Sequence, residues 1–146
     1  MKMKRIKTYL IAMGIVIMGI GATMTEVHAQ NTNLDVTVSQ NPNIASPDPY
    51  SLRSTKDDND PKFYIRLGEL TGADHIFFIS YRRYADGSRE ECSGQVTYYS
   101  SQVSSTTPQS YYYSKTVHAG ETFYVCASAG VTYSSTMVHA VGRYAA

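Results

Sequence analysis

The sequence predicts an all-β fold: a small antiparallel β-sandwich or barrel of about six strands, after a signal peptide and a disordered or extended leader. Three observations carry this. From Lys62 onward the apolar pattern alternates with a period of two, short Gly-containing turns recur between the alternating runs, and no helical periodicity intervenes.

The chain has 146 residues, enough for one domain. Its first 29 residues read as an export signal. Lys2, Lys4, Arg5 and Lys7 form a basic start, Tyr9 to Ala22 is an apolar run, and Val27-His28-Ala29 offers the small side chains a signal peptidase reads, with the cut before Gln30. The alternative is an uncleaved anchor, but a span needs about 20 apolar residues and this core is shorter and broken by glycines. No Cys lies near the cut, which argues against a lipoprotein anchor. The expected product is secreted, with no membrane anchor after cleavage. Of 13 basic and 12 acidic residues, four and one leave with the signal, so the mature chain carries 13 − 4 = 9 against 12 − 1 = 11, a net of −2. That balance gives no electrostatic reason to expect nucleic acid or anionic lipid as a partner.

Residues 30–61 hold Pro42, Pro47, Pro49 and Pro61 among many Asn, Asp and Ser, a composition too polar to offset its ordering entropy. They read as a disordered or extended polar leader, with the domain proper spanning 62–146. Within the leader, Leu34 to Val38 alternates like a strand and fits a sheet edge. Asp57-Asp58-Asn59-Asp60 is a solvated acidic turn rather than a calcium loop. Counted from Asp58, Glu69 falls at the last EF-hand position, but Lys62 and Phe63 occupy ligand and glycine positions.

Phe63, Ile65 and Leu67 alternate with Tyr64 and Arg66 in a half-buried strand, and residues 75–84 are the most β-prone run. Asp86-Gly87 reads as a two-residue hairpin loop. Its register places Tyr84 opposite Arg89, Arg83 opposite Glu90, Arg82 opposite Glu91 and Tyr81 opposite Cys92. One face then collects Phe77, Ile79, Tyr81, Cys92, Val96 and Tyr98, and the other Ser80, Arg82, Glu91, Ser93, Gln95 and Thr97. Residues 100–110 form a Ser/Thr loop. Strands follow over 111–117, 121–128 and 131–144, with Phe123 and Val125 facing inward.

Cys92 and Cys126 both lie in the exported part, where two cysteines most often form a disulfide. Such a bridge would close a loop of roughly 35 residues and contribute about 3–4 kcal/mol. The alternative is two free thiols, because many exported proteins of Gram-positive bacteria avoid disulfides; the facing of the last hairpin is ambiguous, since inward Phe123 and Val125 would turn Cys126 outward unless a bulge intervenes.

Nothing in the sequence assembles a reactive set, so the expectation is no enzyme, no cofactor and no metal site. His75, His118 and His139 lack ligand spacing, no Gly-x-Ser-x-Gly elbow or phosphate-binding glycine loop occurs, and adjacent Glu90 and Glu91 point to opposite faces of a strand. Tyrosine is the unusual feature: 13 in the chain, with no Trp. Tyr98-Tyr99 and Tyr111-Tyr112-Tyr113 flank the Ser-rich loop, and a Tyr/Ser mixture is what recognition surfaces use. Tyrosine is equally a good strand former that half buries itself. The candidate binding residues are Tyr98, Tyr99, Tyr111, Tyr112 and Tyr113, with Arg82 on an exposed Arg82/Glu91 face.

Tyr124-Val125-Cys126-Ala127, then Val131-Thr132-Tyr133-Ser134-Ser135, then Val141-Gly142-Arg143-Tyr144 resemble the ending of certain small secreted proteins of bacilli, a family of unknown function. The architecture is also similar to that of secreted lactococcin-like bacteriocins. The resemblance implies a β-sandwich and a role in competition between bacteria, and it transfers no site residues. The function expected is a secreted, non-catalytic binding or interaction module whose partner is a cell-wall glycan or another extracellular protein. The alternatives are a bacteriocin-like antimicrobial effector and a cell-wall carbohydrate-binding module.

Overall fold

The computed structural model describes residues 31–41, 43, 50–131 and 136–146; the expected export signal, its expected cut and the Thr132–Ser135 part of the resemblance lie outside them. The chain is all-β. The strands are β1 (Thr32–Ser39), β2 (Ser54–Thr55), β3 (Lys62–Thr71), β4 (His75–Arg83), β5 (Arg89–Glu91), β6 (Val96–Tyr99), β7 (Gln109–Tyr112), β8 (Thr122–Ser128) and β9 (Met137–Ala145). They form two open antiparallel sheets. Sheet A has the order β1-β9-β3-β7; sheet B has the order β2-β8-β4-β5, with β6 also paired to β4.

Alternation builds the core between the sheets. Leu34 and Val36 of β1, Phe63, Ile65 and Leu67 of β3, and Val138 and Ala140 of β9 face Ile76 and Phe78 of β4 and Phe123, Val125 and Ala127 of β8, all buried. Each Val, Leu, Ile or Phe among them contributes about 1.5–3 kcal/mol on burial, which makes this layer the main stabilising element.

The domain extends N-terminally beyond Lys62. Within the segment expected to be a leader, Thr32–Ser39 pairs along its whole length with β9 as the edge strand of sheet A, and Ser54-Thr55 adds a short edge to sheet B. Buried Lys56 ties the segment down: its ammonium donates to the Lys62 carbonyl at 3.1 Å, meets the Asp58 carboxylate at 3.2 Å and lies over the Tyr113 ring. Polar composition concealed a strand whose apolar side chains, Leu34, Val36 and Val38, all fall on one face.

The β4–β5 hairpin differs from the expected register by one residue. Tyr81 pairs with Glu91, Arg82 with Glu90 and Arg83 with Arg89. The loop holds three residues, Ala85, Asp86 and Gly87, closed by hydrogen bonds from the Tyr84 N–H to the Ser88 carbonyl and from the Gly87 N–H to the Tyr84 carbonyl. A two-residue type I′ loop needs positive φ at both central positions. Here only Gly87 has it, at 90°. Asp86 instead accepts from the Ser88 N–H at 2.8 Å and the Ser88 hydroxyl at 2.6 Å. The slip exchanges the faces of β4. Ile76, Phe78 and Ser80 are buried, whereas Phe77, Ile79 and Tyr81 lie half-buried on the outer face. Past β5, the N–H groups of Cys92 and Ser93 both donate to the Ser80 carbonyl, and the resulting bulge resets the pairing so that Phe78 faces Val96 and Ile76 faces Tyr98.

The expected disulfide is absent. Cys92 is buried in the core, whereas Cys126 is half-buried among the outward residues of β8 with Tyr124. Inward Phe123, Val125 and Ala127 fix Cys126 on the opposite side of sheet B from Cys92, a placement no disulfide geometry spans.

Candidate functional site

The tyrosines singled out by sequence do not form one surface. Tyr98 is fully buried; its hydroxyl accepts from the Leu67 N–H at 3.1 Å and donates to the Gln102 carbonyl at 3.0 Å. Tyr111 is half-buried, donates to the Thr97 carbonyl, and is pushed up to a pKa of about 12 by burial. Tyr113 is buried against Phe63 and Phe123. Tyr99 and Tyr112 are exposed, at 53% and 66%, but on the outer faces of different sheets. The Tyr/Ser segment thus serves mainly as core and loop anchor.

Arg82 is likewise not part of an exposed Arg82/Glu91 face. It points toward the inner rim of the sandwich, 3.3 Å from both Glu90 and Glu121, and lies over the Phe123 ring. Glu90 also accepts from Lys115 Nζ at 2.6 Å and Tyr84 Oη at 2.7 Å, and these bonds, Lys115 first, hold its carboxyl below the usual range. The network closes the open end of the core; Glu91 sits on the other face, opposite Tyr81.

The best-built surface lies on the outer face of sheet B, where sequence reasoning placed nothing. Outward Tyr124 of β8 and Tyr81 of β4 stack with centroids 5.8 Å apart, and Tyr50, bridged to Cys126, meets Tyr124 edge-on at 5.2 Å. Arg89 of β5 lies over this aromatic floor, its guanidinium 5.6 Å from the Tyr50 centroid and 5.4 Å from that of Tyr81. It donates through Nη1 to Tyr50 Oη. The Tyr50 and then the Tyr124 hydroxyl raise its pKa above the ordinary value.

Register adds two more cations. Arg83 is the direct cross-strand partner of Arg89, and Arg53 precedes β2, which is paired to β8 beside Tyr124. Two clefts share Arg53 and Arg83. One, of about 460 Å³, is walled by Tyr50, Arg89, Ser88 and Tyr124; the other, of about 360 Å³, by Tyr84, Glu121 and Thr122. These volumes are of the order of small-ligand sites. Among the described residues, none of the three guanidiniums has an ion-pair partner.

The histidines are dispersed. His75 meets Asp74 at 2.5 Å, His139 lies between Asp35 and Glu69 on sheet A, and His118 is exposed. Among the described residues no group of three or more His, Cys, Asp or Glu is placed to hold a metal ion.

No protein-family profile, curated protein or solved structure matches this chain.

Proposed function

We propose that this chain is an exported, non-catalytic β-sandwich module that binds an extracellular partner through the outer face of sheet B. The observation that carries the reading is the convergence of Arg53, Arg83 and Arg89 on one cleft over a floor of packed tyrosines, with Arg53 and Arg83 also lining the cleft beside it. Guanidiniums are forked donors suited to recognition, and aromatic packing limits the ordering they lose on binding. The basic, apolar and small-residue succession at residues 2–29 supports export.

Co-sedimentation of the exported protein with isolated cell walls and extracellular polymer tests the reading. Saturable retention, weakened by Arg83→Glu, is the expected result. A protein that stays in the supernatant with every surface fraction, or that turns over the material it meets, contradicts it.

A further inference from the structure

We propose that the partner bound by this face is an anionic surface polymer, such as a polyol phosphate or a polyuronate, whose oxyanion groups seat between Arg53, Arg83 and Arg89. The proposal rests on the binding-module reading and names its ligand class.

Charge placement is the first argument. The hairpin register sets Arg83 directly opposite Arg89, as sheet A sets Arg66 opposite Arg143; what sets this face apart is a third guanidinium, Arg53, lining the same cleft as the pair. On the inner rim the same hairpin pairs Arg82 with Glu90 and Glu121. Among the described residues no carboxylate forms an ion pair with Arg53, Arg83 or Arg89, and Glu121, which walls the second cleft, is paired to Arg82. Asp86 acts on Arg83 only at longer range, bound to Ser88, and Glu91 stands opposite Tyr81. An oxyanion seated among the three guanidiniums would supply the counter-charge.

The aromatic floor gives the second argument, because its ring faces are taken. Tyr124 is only 7% exposed beneath Tyr50 and Tyr81, and Arg89 covers the rings of both of those. A neutral sugar needs an open ring to stack on; this surface presents N–H forks held in place by the rings. The tyrosines position Arg89, and the arginines meet the ligand.

Shape separates a polymer from other polyanions. The clefts adjoin through Arg53 and Arg83, so a flexible chain with one anionic group in the cleft of Arg89 can run on along Arg53 and Arg83 past Glu121, which Arg82 neutralises. A membrane would need apolar side chains to insert, and among the described residues Leu52 is the one exposed aliphatic side chain beside Arg53. A nucleic acid would need a wider basic tract or free stacking faces, which this face lacks.

The test is binding of the exported protein to oligo(glycerol phosphate), polygalacturonate, dextran, phosphatidylglycerol vesicles and a DNA 20-mer, measured by titration at two salt concentrations. Wild type is expected to bind the first two and to weaken as salt rises. R83Q/R89Q should bind at least tenfold more weakly. R66Q/R143Q, which removes the same charge from the outer face of sheet A, should bind as wild type does. All variants are compared at matched circular dichroism and melting temperature. Equal binding by both double variants overturns the assigned face. Preference for vesicles or DNA, or failure to bind either anionic polymer, overturns the ligand class. Binding to dextran alone would also sink the proposal, while leaving the broader module reading intact through the wall co-sedimentation.

Discussion

Ser80 Oγ and Tyr144 Oη lie 3.2 Å apart in the interior, joining β4 of sheet B to β9 of sheet A, and neither residue is exposed to solvent. A polar bridge between two otherwise apolar sheet faces is most costly when half of it is removed. Tyr144→Phe is expected to destabilise by about 1–2 kcal/mol and Ser80→Ala by about 1 kcal/mol, because each leaves a buried hydroxyl without its partner. The double variant should lose less than the sum of the two. Urea unfolding of the four proteins closes the cycle; strict additivity would show that the bridge does not couple the sheets.

The same region sets a limit at alkaline pH. Burial raises the pKa of Tyr144 above its ordinary 10.0, and burial followed by the Tyr144 charge raises that of Tyr113. The unfolded chain therefore releases these protons first. Stability is fully present below about pH 10 and falls above it, by about 1.4 kcal/mol per pH unit for each buried phenol. Tyr111, half-buried, adds a smaller amount. Unfolding free energies measured between pH 8 and pH 11 should show this slope, and Tyr144→Phe should flatten it.

Gly142 sits where β9 passes β3. A Cβ there would lie 2.2 Å from the Arg66 carbonyl oxygen and 2.8 Å from Leu67 Cα. Gly142→Ala should cost about 3 kcal/mol or more, since backbone must move on a central strand. Gly94→Ala meets nothing within 4 Å and should change stability by no more than about 0.5 kcal/mol. The difference between their urea midpoints checks the packing of sheet A.

Cys92 and Cys126 should behave as two unlike thiols. Burial pushes the Cys92 thiol pKa up, and its side chain is fully covered. Maleimide should label Cys126 in the folded protein and Cys92 only on unfolding. The unreduced mass should be that of the dithiol; a mass lower by two hydrogens would contradict the opposite-face placement.

The parts of the fold legible in the sequence were those with apolar residues on a single parity. Phe63, Ile65 and Leu67, and likewise Phe123 and Val125, could face only one way. β4 offered no such choice, because Ile76 and Phe78 compete with Phe77 and Ile79 at equal hydrophobicity, and a three-residue loop decided the matter through the backbone of Asp86. The arginine cluster of sheet B was hidden for a related reason. Arg83 and Arg89 meet only in the shifted register, and Arg53 arrives through a two-residue strand paired to β8 far along the chain. Tyrosine content misled because strand alternation buries Tyr98 and supplies the floor from Tyr50, Tyr81 and Tyr124, which stand apart in sequence.

Amide chemical-shift mapping of the protein during titration with polygalacturonate tests the central claim most directly. The largest changes should cluster at Tyr50, Arg53, Arg83, Ser88, Arg89 and Tyr124, with Arg66 and Arg143 unmoved. Changes centred on the outer face of sheet A, or on Tyr99 and Tyr112, would contradict it.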